Sequence, residues 1–217
     1  MYKYHFIVIM ELFMSLKKLT DSIHKEAEQT KWSKLLVSGN MTAHQYGQYL
    51  YNQLQIYSAL ESRAHNIGLF QKYPKLNNIK RVIPMSCDSQ FFPYESGMEK
   101  CTLEYIEYCE TLVEEQVLAH MYVRHFGDMY GGQIIAKKLP TPSEETLASW
   151  IHPSNGKTPW EENGDDIGWA EMFKFDDRAE TIKYIRSILD NKMADEAIHC
   201  FQWAIQLFHS LEKRFDL

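Results

Sequence analysis

The sequence predicts an all-α fold, and three observations carry that expectation. Apolar residues recur at helical spacing, most clearly at Leu103, Ile106, Leu112, Val113, Val117 and Leu118. No segment alternates apolar and polar residues as a half-buried strand does. Thr42-Ala43-His44-Gln45 has the form of a capping box, in which the Thr hydroxyl and the Gln side chain satisfy free backbone groups at a helix start.

The elements follow in order. Leu16, Leu19, Ile23 and Ala27 form one stripe of a first helix, which ends before Ser38-Gly39-Asn40. The capping box opens a long helix reaching about Phe70. Residues 73–97, interrupted by Pro74, Pro84 and Pro93, read as loop with short turns. Residues 102–126 read as helix, and Ile134, Ile135, Ala136 and Leu139 resume the pattern. Pro140 and Pro142 stop it, and Ser143-Glu144-Glu145 starts a short helix. Residues 152–168, with Pro153, Gly156, Pro159 and Gly164, read as loop. Residues 177–191 and 193–215 are the last two helices.

The 217 residues are enough for one domain with a substantial core, and no linker or repeat divides them. The expected domain is 14–217, with residues 1–13 an accessory extension. Its apolar run Phe6-Ile7-Val8-Ile9-Met10 is too short to span a bilayer. A net charge of −6 argues against a nucleic-acid partner. The four cysteines form no CxxC pair and read as reduced thiols of a cytoplasmic protein. Hydrophobic content of 45% and aromatic content of 13% suit a globular chain, including one lined for a large apolar ligand. Nothing in the sequence asks for an oligomer, so a monomer is expected.

The most informative stretch is 120–133. Gly127, Gly131 and Gly132 interrupt a helical pattern, each at roughly 1 kcal/mol against alanine. Such a cost is accepted where a turn needs positive φ or where a flat object approaches the backbone closely. Asp128 lies among them. The residues alone leave two readings open: a helix corner with a solvated Asp, or a polar pocket.

Ala119-His120-Met121-Tyr122-Val123-Arg124-His125-Phe126-Gly127-Asp128-Met129-Tyr130-Gly131-Gly132-Gln133 resembles the distal-helix pattern of the heme oxygenases, approximately AHxYxRxxGDxxGGQ. Residues 16–28, with Lys17, His24, Ala27 and Glu28, resemble that family's proximal helix. Tyr57-Ser58-Ala59-Leu60-Glu61 resembles its YxALE motif, and Ala204-Ile205-Gln206-Leu207-Phe208 is a weaker match. Order and spacing agree over roughly residues 15 to 215.

The resemblance implies a single-domain fold in which a proximal and a Gly-rich distal helix sandwich heme b. It implies oxidative cleavage of heme at the α-meso carbon to biliverdin IXα, carbon monoxide and ferrous iron. Dioxygen is the co-substrate. With no flavin or iron–sulfur motif in the chain, electrons come from an external donor, and reduced ferredoxin is the expectation. Membrane-bound relatives carry an apolar C-terminal anchor; here the chain ends Phe215-Asp216-Leu217, so no membrane association is expected.

Residue by residue, His24 matches the axial iron ligand, although a lone His beside an apolar stripe is also an ordinary surface or core residue. Glu28, one turn on, is placed to accept its other ring N–H, and a solvated Glu would look the same. Asp128 matches the proton-delivery carboxylate, with Tyr57 and Arg124 in its network and Gly127 and Gly131 giving close approach. Lys17 lies two turns before His24, about 10 Å along the axis. Lys17, Tyr122 and Arg186 match the contacts to the porphyrin carboxylates. Phe201 and Phe208, at helical spacing, are expected near the heme, though core aromatics fit equally.

Three departures stand out. Tyr130 replaces a small Ser, which is expected to place bulk near the distal pocket. Ile182 replaces a basic residue, with Lys183 one along. Ala204 replaces an Asn of the distal water network. Two rivals are a heme carrier or sensor, which would need His24 but not Asp128, and a non-heme di-iron oxidase. The latter calls for repeated carboxylate–His pairs, whereas the chain offers Asp21 with His24 and Glu61 with His65.

Overall fold

The computed structural model describes residues 15–164 and 168–217, so the expected extension of residues 1–13 lies outside the described residues. Fourteen α-helices are described: α1 (Leu16–Leu19), α2 (Asp21–Gln29), α3 (Lys31–Ser38), α4 (Ala43–Asn66), α5 (Leu69–Lys72), α6 (Val82–Asp88), α7 (Lys100–Thr111), α8 (Glu114–Val123), α9 (His125–Tyr130), α10 (Gly132–Ala136), α11 (Glu144–Ala148), α12 (Pro159–Glu162), α13 (Arg178–Ile188) and α14 (Ala194–Arg214). The described residues contain no strand. No helix among them is long and apolar enough to cross a membrane.

Several expected helices arrive in pieces, each break having a local cause. The first one splits at Thr20 and Thr30. The Thr30 backbone is extended at ψ 150°-like values (φ −59, ψ 151), and its hydroxyl caps α3 by accepting the Ser33 N–H while donating to the Ala27 carbonyl. Residues 102–126 become α7 and α8, separated by extended backbone at Leu112 and Val113. There the Leu112 side chain is fully buried and its carbonyl accepts from Arg63 Nε at 2.7 Å. The stretch expected as loop at 73–97 contains α6, with Pro84 in its first turn, where a missing N–H costs little. The capping box of Thr42 and Gln45 forms as expected, and the αL glycine Gly68 follows the end of α4. The loop at 152–164 holds the single turn α12, capped by Thr158 and Glu161.

Packing centres on the two long helices. α4 lies against α6, α7 and α8, and α14 against α2, α3, α7 and α8. Trp32, Tyr46, Leu50, Leu60, Tyr105, Leu112 and Met129 are almost wholly buried among them. Buried polar groups lock the bundle where apolar contact alone would allow sliding. Asn52 accepts the Glu99 N–H and the Thr102 hydroxyl, and Glu99 binds Arg214 Nε at 2.6 Å.

Candidate heme cleft

Between α2 on one side and α9–α10 on the other runs a cleft. Its base comes from Tyr49, Gln53 and Tyr57 of α4 and from Phe201, Ala204 and Phe208 of α14. The cleft volume is about 180 Å³. Sites that enclose a drug-sized ligand are roughly 300–1,000 Å³, so admitting a large planar ring requires the walls to part.

On the proximal wall, Ala27 is the buried anchor of α2, and the helix turn carries His24 and Glu28 to the cleft. The His24 side chain is 54% exposed. Its Nδ1 lies 3.5 Å from Glu28 Oε1, a loose electrostatic pairing, and its ring stands edge-on to Phe201 at 5.5 Å. Nε2 has no hydrogen-bond partner among the described residues, which leaves it uncommitted.

On the distal wall, none of Gly127, Gly131 and Gly132 has positive φ, so conformational freedom is not their purpose. A Cβ on Gly127 would meet no atom within 4 Å, and one on Gly131 only the Gly127 carbonyl at 3.5 Å. Both residues line the cleft, so their missing side chains leave a cradle open to it. Gly132 serves packing instead: a Cβ there would stand 2.4 Å from the buried Phe173 ring.

Asp128 faces the same cleft. Its Oδ2 accepts the Tyr57 hydroxyl at 2.5 Å. Burial pushes the Asp128 carboxyl up to about 6, and the Tyr57 bond and the charges of His125, Arg81 and Arg124 limit the rise. Tyr57 is itself buried beside that carboxylate, which holds the phenol protonated far above its ordinary range. Arg124 sits at the break between α8 and α9. It donates to Gln53 Oε1 at 3.3 Å and lies 5.0 Å from the Tyr105 ring centre, and its Nε is buried without a partner. Asp128, Tyr57, Arg124, His24, Gly127, Gly131, Phe201 and Phe208 thus meet around one cleft.

Lys17, Tyr122 and Arg186 do not line it. Lys17 is exposed on α1, beyond the Thr20 break. Tyr122 is half-buried and stacks towards Phe126 at 5.8 Å, which meets Tyr130 edge-on at 4.9 Å. Arg186 donates to the Tyr130 hydroxyl at 2.8 Å. Tyr130, expected to crowd the distal pocket, is instead 42% exposed and turned towards α13, because its position on α9 faces away from the cleft. Ile182 packs against the core and Lys183 is exposed. Ala204 does line the cleft and offers it no polar atom.

Sequence reasoning missed the polar scaffold behind these residues. Glu61 meets His125, not His65, at 3.1 Å, and also accepts the Arg81 N–H at 2.6 Å. Buried Asp88 accepts the N–H groups of Glu171 and Met172, both at 2.9 Å, and so fixes Met172 in the cleft wall. His120 is clamped between the Tyr105 hydroxyl and Glu196, at 2.6 and 2.8 Å. The His120 bond is the main cause that draws the Glu196 carboxyl down to about 2, with Tyr108 and Gln116 adding to it against burial. Glu61 carried a signal, since it lies one turn after Tyr57 on the same helix face. The others had none, their partners being far away in sequence. Among the described residues no group of three or more His, Cys, Asp or Glu is arranged to hold a metal ion.

A family model, heme oxygenase, matches residues 10–210. Heme oxygenase 2 of Synechocystis is 26% identical over 219 residues, covering 93% of this chain and 83% of that protein. Heme oxygenase 1 of Bos taurus is also 26% identical, covering 93% and 72% respectively. The crystal structure of heme oxygenase-1 from Synechocystis in complex with heme superposes with a TM-score of 0.70 at 19% identity, covering 93% of this chain and 92% of that one. The heme oxygenase structure from Leptospira interrogans superposes with a TM-score of 0.69 at 19% identity, covering 90% and 98%. The two superpositions establish a shared fold, and the family model spans all of the cleft-lining residues: the chain belongs to the heme oxygenase family.

Proposed function

We propose that this protein binds heme b in the cleft between α2 and α9–α10 and opens it oxidatively at the α-meso carbon. The products would be biliverdin IXα, carbon monoxide and ferrous iron. The observation that carries the reading is the Asp128–Tyr57 pair, a desolvated proton-holding group placed across a glycine cradle from an uncommitted imidazole. A carrier would have no use for that pair.

Bound heme supplies both the substrate carbon and an iron centre for dioxygen. The remaining work falls to the chain. His24 would hold the heme iron through its uncommitted imidazole nitrogen. Gly127 and Gly131 let the α9 backbone approach the ring, which orients the reacting carbon and excludes bulk water; such proximity contributes several kcal/mol in general. With its carboxyl near 6, Asp128 exchanges protons near neutral pH, as an acid–base group should. Tyr57 holds Oδ2 in place. Arg124, with an unpartnered buried Nε, supplies a donor and positive charge beside the cleft. Phe201 and Phe208 give apolar faces for the ring. Lys17, Tyr122 and Arg186 stand outside the cleft, and their assignment to the porphyrin carboxylates rests on the family pattern alone. Electrons come from an external donor, with ferredoxin our choice.

The test is spectroscopic. Heme added to the protein should give a Soret band, and a reductant in air should then bleach it into a bilin spectrum. Purified ferredoxin with its reductase is compared with ascorbate as donor, and the bilin isomer is identified by chromatography. A Soret band that survives every reductant would make the protein a carrier and overturn the proposal.

A further inference from the structure

Two helices face one another across a two-rung ladder. From α4 come Tyr57 and, one turn on, Glu61. From α9 come Asp128 and, one turn earlier, His125. The front rung is the Tyr57–Asp128 bond of 2.5 Å, which borders the cleft. The rear rung is His125 Nε2 to Glu61 Oε1 at 3.1 Å, with the His125 side chain fully buried and Glu61 nearly so. The Tyr57 ring packs on the His125 imidazole at 4.6 Å, so the rungs touch.

The rear rung is a poor choice if only stability mattered. Buried polar pairs are commonly no better than apolar packing of the same volume. This one even leaves His125 Nδ1 buried without a partner. Its position gives it another use. His125 is the first residue of α9, directly after the backbone break at Arg124 (φ −82, ψ −75). α9 is six residues long, contains Gly127 and is followed by Gly131 and Gly132, so it does not set its own direction. One bond to α4 fixes a distance; two bonds fix an angle. α4, at 24 residues and capped, is the rigid reference.

We propose that Glu61 and His125 are a positioning pair for Asp128: they set the angle of α9 so that the Asp128 carboxylate meets Tyr57 and faces the cleft. The groups facing Asp128 are Tyr57 of α4, His125 of its own helix, Arg124 at the break, and Arg81. Glu61 also holds the Arg81 N–H, and the Arg81 guanidinium grips the Met172 and Lys174 carbonyls at 3.3 and 2.5 Å. One carboxylate therefore ties together the distal helix, α4 and the Met172 wall. The inference deepens the functional reading above and rests on it for the consequence to turnover, but not for the geometry.

The test reads the full-length protein without heme. Asp128 is followed by carboxyl-carbon NMR during a pH titration, its signal assigned with Asp128→Asn. His125→Phe keeps the ring contact with Tyr57 and removes the bond to Glu61. The Asp128 midpoint should rise from about 6, by roughly one unit, as the Tyr57 bond and a neighbouring charge are lost. His125→Gln, which restores a donor to Glu61, should recover most of that shift. Should His125→Phe not fold, Glu61→Gln replaces it: it keeps an oxygen for Arg81 but weakens the rung, and a smaller shift in the same direction is expected. With heme bound, His125→Phe should lower the bilin-forming rate about tenfold, as a small misplacement does, while heme affinity stays within threefold. An unchanged Asp128 midpoint in the folded variant overturns the proposal. A shifted midpoint in a protein that makes no bilin keeps the pairing and sinks only the functional reading.

Discussion

Asp128, Arg124 and His125 on the distal side are each tied to α4, by bonds of 2.5, 3.3 and 3.1 Å, whereas His24 and Glu28 on the proximal side pair loosely at 3.5 Å and stand more than half exposed. The chemistry proposed for each wall accounts for the contrast. A group that holds a proton near neutral pH must be desolvated and fixed, and most of the polar groups buried with it then need partners. An imidazole that offers a nitrogen to iron needs only to be presented. The anchoring differs in kind: Ala27 is the one buried residue of α2, which packs against α14 and α3, whereas the distal residues are hydrogen-bonded to α4.

Removing the central residue of either wall should have the largest effect. His24→Ala should abolish turnover and shift the Soret band, and added imidazole should restore part of both by occupying the vacated space. An unaltered spectrum would point to another ligand such as His44. Asp128→Ala should retain heme within severalfold but lower bilin yield about 100-fold, the scale of a lost acid–base group. Supplying hydrogen peroxide in place of dioxygen and reductant should not rescue bilin formation.

Asp128 also allows a stability test with a definite sign. Its carboxyl is raised from 3.8 to about 6 in the folded protein, so the native state binds more protons between those values and stability falls as pH rises through them. Asp128→Asn, which can still accept from Tyr57, should therefore be more stable than the parent above about pH 6, by something of the order of 1 kcal/mol, with the gain vanishing below about pH 4. Denaturant melts across that range read it directly. A more stable, inactive variant would be the expected signature of a site that trades stability for function.

The glycines sharpen the contrast within the distal wall. Gly132→Ala drives a Cβ into the Phe173 ring and should destabilise the fold by about 1–3 kcal/mol. Gly127→Ala meets nothing in the protein and should leave stability unchanged or up to about 1 kcal/mol higher, while weakening heme binding because the methyl enters the cradle. Equal melting temperatures for the two variants would contradict the division of labour. The smallest effect should come from Lys17→Ala at the exposed proximal rim: heme affinity severalfold lower at most, read by titration, together with any loss of isomer purity in the bilin.

Much of this was legible in order along the chain. The capping box at Thr42 starts α4, and the cleft brings His24, Tyr57, Arg124, Asp128, Phe201 and Phe208 together. The breaks at Thr20, Thr30, Leu112 and Arg124 were not legible, since each depends on what the two flanking helices pack against. Tyr130 was misplaced because a spacing argument gives a helix face, not which neighbour that face meets. Its hydroxyl bonds Arg186, 56 positions away.

The helical class and the family were readable from the sequence, which also named the residues proposed to coordinate, carry a proton or leave room for a ring. Those follow from side-chain chemistry and local periodicity. Packing in three dimensions set which wall is hydrogen-bonded to α4. It assigned Gly132 to packing and Gly127 and Gly131 to the cradle, paired Glu61 with His125 instead of His65, and desolvated Asp128 enough to move its carboxyl to about 6. Desolvation, and the partners that compensate it, are properties of three-dimensional neighbourhoods, because the atoms that exclude water from a group come from helices remote in the chain.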